Sequence, residues 1–333
     1  MNEIKNISTL DLFRGVAGYG VAISHYFFYL YKINIFQFYS IFFVEFFFVL
    51  SGFVLYPQLK KVYLDNKNLK IFYARRWLRT IPPYFIALAC YSLLFNKFDS
   101  DTVKYLFFVQ KITDNFVQDD YFSVAWSLSV EELFYLFFPI FLLILNKKRF
   151  LNIILFFLVI VYFYKIAHLY FNVDQEFYRI GTFLRLDAIA FGVLLRIYFN
   201  KVNNNFLNII TGLIILFLMN YFLNNLTTLN GLDLFLFIFL VQFFSINMII
   251  LFINFEKYII NKRIKDFFSL LSKQTYSIYL FHLFFVHFIG SMTFINNHFF
   301  SFILYLASLF LFSTLFYLLI EKIIIKNRPS YIN

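Results

Sequence analysis

Apolar residues run along this chain in long continuous stretches, not in the one-faced or alternating patterns of water-soluble elements. Ten stretches can be drawn: 10–31, 36–56, 82–96, 125–145, 150–171, 180–199, 206–226, 231–254, 267–290 and 298–321. Most have the length of about 20 residues that an α-helix needs to cross hydrocarbon; the third is shorter. A spanning β-barrel would instead show alternating segments of about ten residues. The pattern predicts an all-α, polytopic integral membrane protein of about ten transmembrane helices. The first stretch starts close to residue 1 and carries Asp11 and Arg14, so it reads as a retained helix and not a cleaved signal. No Pro/Gly/Ser linker divides the chain. Residues 1–333 read as a single transmembrane domain with no appended soluble domain.

Composition sharpens this. Of 333 residues, 62% are apolar and only 14% charged, against about 25% charged in an average soluble domain. A soluble globular enzyme is excluded. The net charge of +11 would raise the question of nucleic acid in a soluble protein, but the charges are distributed as a topology signal. One set of alternate connections holds Lys5, the Lys60–Arg79 group, Lys147–Arg149, Arg196, Lys201, the Lys257–Lys265 group, Lys322, Lys326 and Arg328, twenty Lys and Arg in all. The other set holds five: Lys32, Lys97, Lys104, Lys111 and Arg179. The positive-inside rule then puts both termini in the cytoplasm. The longest outer connection, 97–124, carries Asp99, Asp101, Asp114, Asp119 and Asp120 and reads as a partly ordered cap. A single cysteine, Cys90, excludes an intrachain disulfide and Cys-based metal sites.

Ionisable groups inside membrane spans are costly and mark functional sites by default. Arg14 and His25 lie eleven residues apart on the first span. At 100° per residue they share a face, about 16 Å apart along the axis. Glu45 lies in the outer half of the second span, at a depth close to that of His25. The fourth opens with Trp126, and Ser127, Glu131 and Tyr135 follow on one face, with Glu132 beside them. The sixth carries Arg185 and Asp187. The ninth places Thr275, Tyr279 and His282 on one face, followed by His287. Taken singly, Glu45, Glu132, Arg185 and Asp187 are about as well explained by helix pairing as by function. His287 and His298 read as structural, and His168 as interfacial. His282 and His287 are 140° apart on their helix, poorly placed as a metal pair. No HExxH, GxSxG, Walker A or CxxC motif is present. The small residues of Gly15–Gly20 suit close helix approach better than phosphate binding.

These residues resemble the membrane-integral acyltransferase-3 family, which includes O-acetyltransferases of bacterial surface polysaccharides. The matching segments are Leu10-Asp11-Leu12-Phe13-Arg14-Gly15 with His25, Glu45, and Phe46 to Phe53. Arg75-Arg76-Trp77-Leu78-Arg79 with Pro82-Pro83-Tyr84 looks like the family's Arg-rich inner loop. Trp126 to Tyr135 with Pro139, Arg185-Leu186-Asp187 with Gly192, and Tyr276 to His282 complete the set. After Ile320-Glu321-Lys322 the chain lacks a Pro that often follows, so Glu321 receives no role.

The resemblance implies acyl transfer, most often of acetyl, from cytoplasmic acyl-CoA to a sugar hydroxyl at the outer face of a bacterial cytoplasmic membrane. His25 would be general base or acyl acceptor, with Glu131 or Glu45 supporting it. Arg14, Arg75, Arg76, Arg79 and Tyr84 would bind acetyl-CoA or another acyl-CoA. Trp126, Ser127, Arg185, Asp187, Tyr279 and His282 would face the acceptor. No metal is expected. The partners would be acyl-CoA, a polysaccharide or lipid-linked sugar and the bilayer, with no nucleic acid. The buried Arg, Glu, Asp and His residues also fit a secondary transporter with a proton relay, although no paired halves with broken helices are visible.

Overall fold

The computed structural model describes residues 7–113, 116–117, 119–171, 175–224, 231–292 and 297–331. Lys5, Asp114 and the last two residues of the predicted span 206–226 lie outside them. The described residues contain no β-strand and thirteen α-helices: α1 Ser8–Tyr31, α2 Ile35–Leu64, α3 Asn68–Phe95, α4 Ser100–Leu106, α5 Ala125–Ile144, α6 Phe150–Tyr170, α7 Gln175–Ile180, α8 Leu186–Val202, α9 Asn205–Asn224, α10 Gly231–Phe255, α11 Lys262–Gly290, α12 His298–Phe316 and α13 Lys322–Lys326. The protein is an all-α polytopic membrane protein. Among the described residues, seven helices (α2, α3, α5, α6, α9, and those containing α10 and α12) are long and apolar enough to cross a membrane. The other three predicted spans fall on α1, α8 and α11, which carry Arg14, His25, Asp187 and His282.

The predicted boundaries need three corrections. The predicted second span, 36–56, continues as helix through Pro57 to Leu64. The Arg75–Arg79 segment is not a loop but part of α3, which also runs through Pro82 and Pro83. Neighbouring groups can satisfy the backbone that proline frees in a membrane helix. The predicted span 180–199 is broken. α7 ends before Gly181, whose backbone is extended, and a 3₁₀ turn over Thr182–Arg185 leads into α8.

The helices group into two compact units. The first comprises Met1–Phe47, Phe199–Thr227 and Ile238–Ile320. Its centre is the pair α1 and α11. Gly15 meets Leu271, Gly18 meets Thr275 and Leu30 meets Gly290, so residue numbers rise together and the two helices run parallel. Alternate crossing requires that direction of the first and ninth predicted spans. A Cβ on Gly15 or Gly18 would stand 2.7 Å from Leu271 Cβ or 2.8 Å from Thr275 Cγ2. The two glycines thus allow this close approach. α12 lies antiparallel to α1, its Tyr305 hydroxyl donating to Ala22 O at 3.1 Å and Ser301 bonding Tyr26 at 2.8 Å. Glu256 fixes the start of α1, accepting from Ser8 Oγ and Thr9 N at 2.8 Å each, and holds Lys265 at 3.0 Å.

The second unit comprises Phe48–Tyr198, Thr228–Phe237 and Glu321–Asn333. Here α2 and α8 cross backbone to backbone. A Cβ at Gly52 would fall 1.8 Å from Ile189 O, and one at Gly192 1.9 Å from Val49 O. No side chain fits either position. In the connection 97–124 the described residues pack around α4. Asp99 caps it through the amides of Asp101 and Thr102. Lys97 pairs with Asp119 at 2.9 Å and Lys111 with Asp120 at 3.0 Å. The Tyr105 hydroxyl donates to Asp120 at 2.6 Å, and its pKa is driven far up by burial and then by that carboxylate.

Candidate functional site

In the first unit the two histidines singled out on α1 and α11 meet. His25 Nδ1 lies 2.7 Å from His282 Nε2, and the rings stack at 5.0 Å with 20° between their planes. The proton positions follow from the acceptors. His282 Nδ1 lies 2.8 Å from Tyr279 O and 3.2 Å from Ile278 O. Carbonyl oxygens only accept, so Nδ1 carries the proton and neutral His282 offers its Nε2 lone pair. His25 Nδ1–H donates to it. In the neutral His25 ring, Nε2 then holds the lone pair. The backbone carbonyl of Tyr279 sets the tautomer of His25 through His282, as an orienting group does in a catalytic triad. His282 is fully buried and His25 partly exposed, so the outer member of the pair is the one a reactant can approach.

The same two helices carry a polar stripe toward their N-terminal ends. Tyr19 donates to Gln274 Oε1 at 3.1 Å, and Gln274 Nε2 donates to Thr314 Oγ1 of α12 at 2.5 Å. Arg14 Nη1 donates to Ser272 Oγ at 3.1 Å and lies 3.8 Å from Asp11. Ser272 and His282 are ten residues apart on α11, about 15 Å by helix rise. The shared face of Arg14 and His25 read from the sequence is therefore lined from both sides.

In the second unit the arginine cluster packs on α5. The Arg76 guanidinium lies over the Tyr135 ring at 5.1 Å. The Tyr135 hydroxyl donates to Glu131 Oε2 at 3.1 Å and lies 2.8 Å from Ser51 Oγ of α2. Thr80 and Trp77 hydrogen-bond Glu132. The predicted face of Ser127, Glu131 and Tyr135 thus joins Glu131 to Tyr135 directly. Ser127 itself is buried and donates to Val124 O at 3.2 Å. Trp126 lies edge-on to Phe48 at 5.9 Å. Tyr84 is fully buried, and its hydroxyl donates to Tyr105 O at 2.9 Å. It anchors α3 to α4.

Glu45 is fully buried in the first unit, where Tyr279 lies against Phe47 at 5.8 Å. Arg185 and Asp187 are both buried in the second unit. Asp187 pairs with Lys165 of α6 at 2.5 Å, both almost wholly buried. Lys165 received no role in the sequence analysis, although an intramembrane lysine demands a partner by itself. Ser272 was missed as a contributor because an isolated serine in an apolar run carries no distinctive signal. Among the described residues no three His, Cys, Asp or Glu side chains group in a way that can hold a metal ion.

Known proteins resemble the chain over much of its length. The family model described as an acyltransferase domain matches residues 7–322. An uncharacterised protein of Haemophilus influenzae is 30% identical over 58% of this chain and 93% of its own length. A Staphylococcus aureus protein, named as an inferred O-acetyltransferase, is 26% identical over 74% of this chain and 46% of its own length. The peptidoglycan O-acetyltransferase OatA of Listeria monocytogenes is 32% identical over 31% of this chain and 20% of its own. The chain therefore matches less than half the length of the two O-acetyltransferases. No solved structure matches it significantly. A match over nearly its whole length, enclosing the histidine pair and the arginine cluster, places the chain in the membrane acyltransferase-3 family.

Proposed function

We propose that the protein transfers an acyl group, acetyl in the first instance, from cytoplasmic acyl-CoA to a hydroxyl of a surface polysaccharide, lipopolysaccharide or glycolipid. The proposal sets it in a bacterial cytoplasmic membrane with both termini inside. The O-acetyltransferase names of its relatives support the reaction class, and the peptidoglycan substrate in one of those names supports an envelope glycan as acceptor.

The observation that carries the reading is the His25–His282 pair, with a lone pair directed to His25 Nε2 by a fixed proton order. In the proposed reaction His25 Nε2 takes the proton of the acceptor hydroxyl as its oxygen attacks the thioester carbonyl. The tetrahedral intermediate collapses with cleavage of the C–S bond. The leaving CoA thiolate takes the same proton from His25, so the products are an ester and free CoA. Imidazolium formation at His25 strengthens the bond to His282, and Glu45, in the same unit, is assigned to stabilising that cation. Arg75, Arg76 and Arg79 are assigned to the CoA phosphates, which guanidinium groups bind bidentately, and Arg14 is also assigned to the donor. Trp126, Ser127, Arg185, Asp187 and Tyr279 are assigned to the acceptor side.

The test uses inverted vesicles containing the chain, supplied with acetyl-labelled acetyl-CoA and the host's glycans and glycolipids. Label in the glycan fraction with stoichiometric CoA release is the expected result. Release of CoA without label in any glycan, or no reaction with acetyl-, succinyl- or longer acyl-CoA, would overturn it.

A further inference from the structure

The C-terminal tail lies on the arginine cluster of α3. Arg75 Nη1 donates to Pro329 O at 2.6 Å. The Tyr331 ring lies 5.1 Å from the Arg75 guanidinium and 5.2 Å from the Lys61 ammonium, and its hydroxyl donates to Gln58 Oε1 at 3.1 Å. These contacts press Arg328 toward like charge. Burial lowers its pKa, and Arg79, Arg75 and Arg76 lower it further. Buried Nε and Nη2 of Arg328 and buried Nε of Arg76 have no hydrogen-bond partner among the described residues. Among the described residues, Glu321 is coupled to Arg328, Glu131 to Arg76 and Arg79, and Glu132 to Arg76.

Four guanidinium groups crowded together, with buried donors left over, form an unfavourable arrangement until an anion with several acceptor oxygens enters. We infer that Arg328 of the C-terminal tail is a fourth phosphate-binding arginine, completing with Arg75, Arg76 and Arg79 a site for the phosphate groups of the acyl-CoA donor. The inference rests on the acyl-CoA reading above. The Arg75–Pro329 and Tyr331 contacts serve to hold Arg328 in place. Phosphate groups also occur on lipid headgroups, and the test separates the two sources.

The full chain is reconstituted in phosphatidylcholine nanodiscs, and binding of CoA, inorganic pyrophosphate and pantetheine (which lacks phosphate) is measured by calorimetry. Arg328→Gln is expected to raise Kd for CoA and pyrophosphate about tenfold, the loss of one charge-assisted contact, and to leave pantetheine unchanged. Arg328→Lys should fall between, and Arg263→Gln, an exposed arginine outside the cluster, should bind CoA like wild type. Unliganded melting midpoints check folding, and Arg328→Lys carries the test if Arg328→Gln does not fold. Wild-type CoA affinity in Arg328→Gln, or an equal loss in Arg263→Gln, would overturn the inference alone. No CoA binding by wild type would overturn it together with the acyl-CoA reading. A second series in phosphatidylglycerol nanodiscs reads the lipid source. Loss of bound phosphatidylglycerol in Arg328→Gln with CoA affinity intact would assign the site to a headgroup and overturn the inference.

Discussion

Replacing His282 by Phe keeps a ring of similar size in a fully buried position and removes both nitrogens. Two bonds disappear: the 2.7 Å contact from His25 Nδ1 and the 2.8 Å bond to Tyr279 O. The first is lost where it matters for rate. A hydrogen bond to a charged group contributes about 1.5–3 kcal/mol, and His25 is charged only after it has taken the hydroxyl proton. Only interactions stronger in the transition state than in the ground state raise kcat. The expected loss is therefore about 10- to 150-fold in kcat. The KM for acyl-CoA should stay unchanged, because the pair is assigned to proton transfer and not to the donor phosphates. Tyr279 O keeps its intrahelical amide partner in α11, so the second lost bond should cost only about 0.5–1.5 kcal/mol of stability. His282→Gln, whose amide oxygen can accept from His25, should recover part of the rate. The assay is the initial rate of CoA release and product formation in proteoliposomes, normalised to folded protein. A folded His282→Phe enzyme with wild-type kcat would refute the relay.

Three other outcomes are expected. Gly52→Ala and Gly192→Ala each put a Cβ within 2 Å of a carbonyl oxygen on the crossing helix; both should lower the melting midpoint in detergent, by about 1–3 kcal/mol or more, and wild-type midpoints would contradict the backbone contact. Lys165→Met or Asp187→Asn alone leaves a buried charge uncompensated and should destabilise by about 3–5 kcal/mol. Lys165→Met combined with Asp187→Leu should cost clearly less than the sum, and additive losses in denaturation would refute the pairing. Arg76→Lys, which loses the planar stack on Tyr135, should raise KM for acyl-CoA about tenfold with little change in kcat; the reverse split would remove Arg76 from donor binding.

Much of this was legible because the bilayer makes polar residues conspicuous. Arg14, His25, Glu45 and His282 stand out in apolar runs, and the eleven-residue spacing alone put Arg14 and His25 on one face. The sequence could not show that α1 and α11 run in register, because that depends on Gly15 and Gly18 meeting Leu271 and Thr275 more than 250 positions away. The proton order of the histidine pair was likewise hidden, since it is set by a backbone carbonyl and every residue has one. The break at Gly181 escaped notice because Ile180, Phe183 and Leu184 keep the run apolar across it, and hydropathy does not register backbone direction. Arg75–Arg79 read as a loop for the opposite reason: charge and two prolines outweighed the helical neighbours. The tail arginine Arg328 looked like one more inner positive charge. Its packing against α3 rests on Pro329 and Tyr331, which have no periodic pattern to reveal it.

The most direct test of the central claim is a comparison of wild type, His25→Ala and His25→Gln at equal folded protein in the acetyl-transfer assay, with acetyl-CoA on the cytoplasmic side. The account predicts acetylated glycan and matching CoA release for wild type, and loss of both by about 100-fold or more in the two variants, with CoA binding retained. Acetyl label trapped on His25 of the wild-type chain would replace the general base by an acyl-histidine. Glycan acetylation at the wild-type rate in His25→Ala would contradict the account.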